Sequence, residues 1–119
     1  MARPNWKLTI RSGSEVEHRS FADLGEAVEA MRERAMGIRA GAPAKTVDML
    51  RTFKPEDQVR ARLQISGRGM FRKPVAGVDL RGDGTFMPFV GGVGRKELDP
   101  SDHETPFEAV RKTLEAESG

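Results

Sequence analysis

The sequence predicts an α+β fold, a mainly antiparallel sheet of four to five strands with two helices packed on one face. Two observations carry this expectation. A β-hairpin leading into a capped amphipathic helix is written twice, first as LTIRSGSEVEHRSFADLGEAVEAM from Leu8, then as VDLRGDGTFMPFV from Val78 with TPFEAVRKTL from Thr105. Between the copies, Val59, Ala61, Leu63 and Ile65 alternate with Arg60, Arg62, Gln64 and Ser66, the period of a strand buried on one side. Hairpin-length loops join most of these strands, so antiparallel pairing dominates and the helices gather on one face. A length of 119 residues fits one domain over 1–119.

Element by element, Trp6, Leu8 and Ile10 alternate with Lys7, Thr9 and Arg11 to make the first strand. A three-residue loop, Ser12-Gly13-Ser14, returns the chain through Glu15–Arg19 and sets Ile10 opposite Val16 and Arg11 opposite Glu15. His18 then lies under Trp6 or the first helix. Ser20 opens that helix with Asp23 three residues on, Leu24, Val28, Met31 and Ala35 form its apolar stripe, and Gly37 is its stop. Residues 38–58 read either as a loop or as a short helix begun by Pro43. After the 59–66 strand comes the loop GRGMFRKP from Gly67. With Asp83-Gly84 as a two-residue turn, VAGVDL and TFMPFV pair so that Leu80, Val78, Met87 and Phe89 share one face, and Arg81, Asp79 and Phe86 the other. Pro88 cannot donate to a ladder and marks an edge or a bulge. Gly91–Asp102 is a connector, and Thr105, Pro106 and Glu108 begin the last helix as cap, first residue and capping-box partner.

Composition narrows the chemistry. There is no cysteine, which excludes disulfides, thiolate catalysis and Cys-based zinc sites. No apolar run has secretory or membrane-spanning length, so a cytoplasmic, membrane-free protein is expected. Two distant histidines and no tyrosine supply no acid–base constellation, leaving only a carboxylate site assembled across the fold open. The chain therefore reads as non-enzymatic, with no cofactor. Asp99, Asp102, His103 and Glu104 match no metal-ligand spacing and suit the adjoining helix N-terminus instead. GGVGRK from Gly91 is not a P-loop, because Lys96 is followed by Glu97, though a glycine-built anion nest remains open there.

Charge is uneven. Residues 54–96 hold nine Lys/Arg against four Asp/Glu, whereas residues 97–119 hold two against seven. The strand alternation sends Lys7, Arg11, Arg60, Arg62 and Arg81 to the solvent side of the sheet, and the loop after Gly67 adds Arg68, Arg72 and Lys73. A basic sheet face carrying an aromatic suits phosphates and stacked bases. The expected function is thus a binding module for nucleic acid or a ribonucleoprotein. Its site is Arg60, Arg62, Arg68, Arg72, Lys73 and Arg81 on phosphates, with Phe86 or Phe71 stacking. The bland alternative is that these arginines only solvate the sheet. The functional alternative is a protein-interaction or self-assembling, homo-oligomeric module, in which the basic middle of one chain meets the acidic 97–117 segment of another. From Trp6 onward the element order resembles double-stranded-RNA-binding-like and ribosome-associated α+β folds, without any of their motifs, and the acidic last helix departs from a phosphate-binding one.

Overall fold

The computed structural model describes residues 6–41, 59–67, 74–91, 96–98 and 105–118, the last two without their side chains. The strands are β1 (Trp6–Ser12), β2 (Glu15–Phe21), β3 (Val59–Gly67), β4 (Val75–Arg81) and β5 (Phe86–Val90), with apolar alternation clearest in β1 and β3, and a short β6 (Lys96–Glu97) follows. The helices are α1 (Leu24–Ala40) and α2 (Pro106–Ser118). All strands pair antiparallel in one sheet of order β2-β1-β3-β4-β5-β6. This is the expected α+β class, with six strands among the described residues in place of four to five. The extra strand is the two-residue β6 inside the Gly91–Asp102 connector.

Alternation decides which side chains meet the helices. Leu8 and Ile10 from β1, Leu63 and Ile65 from β3, and Val78 and Leu80 from β4 are at most 2% exposed. Met31 and Ala35 of α1 and Val110 and Leu114 of α2 close over them. Each large aliphatic side chain buried this way contributes about 1.5–3 kcal/mol, so the layered core outweighs any single polar contact described below.

Both hairpin turns differ by one residue from expectation, in opposite senses. Ser12 pairs with Glu15, so the first loop is Gly13-Ser14. Gly13 has φ +62° and no described non-glycine residue has positive φ, the pattern of a type II′ turn whose twist matches the strands. The shift sets Ile10 opposite Glu17 and leaves Val16 on the other face, 46% exposed. In return it brings Phe21 opposite Trp6, where both pack on the core. Ser20 and Phe21 therefore stay in the strand, and α1 begins later than predicted. Its cap is Asp23, whose Oδ2 accepts the Glu26 N–H at 3.0 Å. Asp23→Ala should lower stability by about 1 kcal/mol, read as a lower urea midpoint at unchanged denaturant slope. The helix also runs through Gly37 to Ala40, because Met36 and Ile38 still pack on the core.

In the second hairpin the Arg81 N–H donates to Thr85 O at 2.8 Å and the Gly84 N–H to Arg81 O at 2.9 Å, which makes a three-residue loop of Gly82-Asp83-Gly84. Gly84 takes φ +88°, the left-handed position such a loop requires. The Asp83 carboxylate accepts Thr85 Oγ1 at 2.6 Å and Thr85 N–H at 3.0 Å, and these bonds hold its pKa below the usual aspartate value. That support is complete at neutral pH and fades as acidification protonates the carboxylate. The register becomes Leu80 opposite Phe86 and Val78 opposite Pro88, the reverse of the expected facing. Pro88 lies one strand in from the edge, flanked only by β6, and its carbonyl accepts the Leu98 N–H at 2.8 Å. At α2 Thr105 is the cap and Pro106 the first helical residue as expected, with Thr105 Oγ1 accepting the Glu108 N–H at 3.0 Å, while the Glu108 carboxylate accepts from Arg111. The short helix proposed from Pro43 lies outside the described residues.

Candidate functional site

The face of the sheet opposite the helices presents Lys7, Thr9 and Arg11 of β1, Arg62, Gln64 and Ser66 of β3, and Gly77 and Asp79 of β4, as the alternation requires. Arg60 stands at a register shift between Val59 and Ala61, the signature of a bulge that re-aims its residue. Of the expected site residues, Arg60, Arg62 and Arg81 are described and are partly exposed. Arg68, Arg72 and Lys73, with Phe71, lie outside the described residues.

Phe86 is a correction. The one-residue longer turn moves it to the helix face, where its ring meets Phe107 edge-on at 5.2 Å and the Arg39 guanidinium lies 4.8 Å above it. It is not a stacking platform on the basic face. Among the described residues the aromatic on that face is Phe89, which sits over Gly77 and is only 1% exposed, with the Arg62 guanidinium 5.8 Å from its ring. His18 is likewise not under Trp6. It is exposed on this same face, with Nδ1 3.2 Å from Thr9 Oγ1.

Two of the arginines are neutralised in place. Arg62 Nε donates to Asp79 Oδ1 at 2.8 Å, and the Asp79 side chain is only 7% exposed. Arg81 Nη2 donates to Glu97 Oε2 at 2.6 Å across β5. Lys7, Arg11 and Arg60 form no ion pair with any described residue. On the helix side three arginines are paired as well. Arg32 is tied to Glu29, Arg34 to Glu17, and Arg111 to Glu108 and Glu115. Hydrogen bonding from Arg32 holds the Glu29 carboxyl below its ordinary pKa. Arg111 absorbs two of the acids expected to make the last segment a basic partner's target.

The site's defining geometry is an opposition of like charges. Arg11 pairs directly with Arg62 across the β1–β3 ladder, an arrangement that costs rather than stabilises. Together with Arg60 at the bulge they line a shallow notch of about 210 Å³, completed by Gly13, Val59 and Ala61. Asp79 draws one guanidinium toward β4, so the notch keeps a net positive charge from Arg11 and Arg60. Such a notch can hold an oxyanion through charge-assisted hydrogen bonds. Arg11 was expected on this face but opposite Glu15; its partnership with Arg62 depends on β1 lying beside β3, which no local pattern reveals. A second hollow of about 270 Å³, lined by Ile10, Ser12, Glu15, Val16, Glu17 and Arg34, holds the Arg34–Glu17 pair at 2.8 Å.

No described helix is long and apolar enough to cross a membrane. Compared with known proteins, the chain matches no family model, no curated protein and no solved structure. The resemblance to RNA-binding-like and ribosome-associated folds thus stands on element order alone.

Proposed function

We propose that this protein is a non-enzymatic binding module that contacts the phosphate backbone of nucleic acid through the face opposite the helices, with Arg11 and Arg60 as its principal charges. The observation that carries this reading is the opposition of Arg11 and Arg62 beside the Arg60 bulge around a 210 Å³ notch. Arg11 and Arg60 bring two side chains with no described acidic partner to one notch, where a phosphate oxygen can accept hydrogen bonds from both. Lys7, further along the same face, extends the track. Arg62 and Arg81, already held by Asp79 and Glu97, shape the surface more than they charge it.

Withdrawing Phe86 changes the mode of contact. What the described residues of this face offer is guanidinium and ammonium groups suited to phosphates, so recognition runs first through the phosphate backbone. The expected result is that labelled double-stranded RNA or DNA raises its fluorescence anisotropy on addition of the protein at low salt. The same signal should decline as salt rises, because each neutralised phosphate releases condensed counterions. Absence of binding at low salt overturns the proposal.

A further inference from the structure

The outer edge of β2 is a seven-residue strand that pairs, among the described residues, with β1 alone. Ser12 and Glu15 close a two-residue turn, so Glu15, Glu17, Arg19 and Phe21 spend their backbone groups on β1. Alternation then points the N–H and C=O groups of Val16, His18 and Ser20 outward, a template for another strand. The charges on this edge read Glu15, Glu17, Arg19, and they are self-complementary in one antiparallel register only. Centred on His18, that register sets Glu17 of each copy opposite Arg19 of the other, Val16 opposite Ser20, and Glu15 opposite Phe21. Centring on Glu17 or on Arg19 opposes like charges. Centring on Val16 opposes Glu15 and Glu17. The His18 register is also the one in which the outward backbone groups meet.

We infer that β2 pairs antiparallel with β2 of a second copy of this chain about a two-fold axis at His18, joining two sheets into one. Glu17 can serve both contacts, because Arg34 engages its Oε1 and leaves Oε2 to the second copy's Arg19. Arg19, stacked over Phe21 at 5.4 Å, is held at the edge where that contact forms. The pairing does not use the arginine notch and stands independently of nucleic-acid binding.

Sedimentation equilibrium over a concentration series tests it with two variants. In Glu17→Arg the register sets arginine against arginine, and in Arg19→Glu it sets glutamate against glutamate, so each variant opposes like charges twice across the axis. Wild type should approach twice the chain mass as concentration rises, and each variant alone should dissociate at least about tenfold more readily. An equimolar mixture of the two variants restores opposite charges at every contact and should recover the dimer, which also shows that both variants fold. Monomeric wild type throughout, or variants that associate like wild type, or a mixture that stays monomeric, overturns the inference.

Discussion

Gly77→Ala should destabilise the protein at or above the top of the roughly 1–3 kcal/mol range for overpacked cores. A Cβ at Gly77 would overlap the carbonyl oxygen of Leu63 and approach Gln64 Cα to 2.7 Å and Phe89 Cζ to 2.9 Å. Two of those three obstacles are β3 backbone, which cannot swing aside as a side chain can. Relief requires the β3–β4 ladder to spread at the centre of the sheet, where Gly77 sits opposite Gln64. It also requires Phe89 to leave the position in which it is 1% exposed. Gly37→Ala supplies the contrast, since a Cβ there meets nothing within 4 Å inside α1. That change should stabilise by up to about 1 kcal/mol through helix propensity. Urea unfolding of the two variants beside wild type checks both, and a Gly77→Ala midpoint equal to wild type would contradict the close packing described.

Arg11→Glu/Arg60→Glu should abolish most nucleic-acid binding. Each charge-assisted phosphate contact is worth about 1.5 kcal/mol. Losing two then weakens affinity a little over a hundredfold, before the repulsion of the new carboxylates is added. Arg32→Glu/Lys112→Glu changes net charge equally but places it on the exposed helices. That variant should bind within a few-fold of wild type. Equal losses in the two variants, measured by anisotropy at one salt concentration, would mean that total charge rather than the notch governs binding.

Much of the architecture was legible because burial writes a period of two into β1 and β3 and a period near 3.6 into both helices. Turn length was not. Ser12-Gly13-Ser14 and Arg81-Gly82-Asp83-Gly84 each contain the residues for a two- or a three-residue loop, and a slip of one residue reverses every facing beyond it. That is how Val16 left the core, how Phe86 entered it against Phe107, and how Phe89 came to the opposite face. The start of α1 turned on a similar local competition, in which Asp23 with Glu26 prevailed over Ser20 with Asp23 because Phe21 gains more as a strand residue beside Trp6. At the candidate site, the exposure of Arg60 and Arg62 followed from alternation. The opposition of Arg11 to Arg62 did not, since the two are brought together only by strand order across an intervening hairpin and helix. The Asp79–Arg62 pair was hidden for the same reason.

The most direct test of the central claim is the slope of log affinity against log salt for wild type and for Arg11→Ala/Arg60→Ala. If the notch holds backbone phosphates, removing two contacts should reduce the slope by roughly 1.4–1.8, at about 0.7–0.9 per phosphate. An unchanged slope would contradict the account and assign the positive charge of this face to solvation alone.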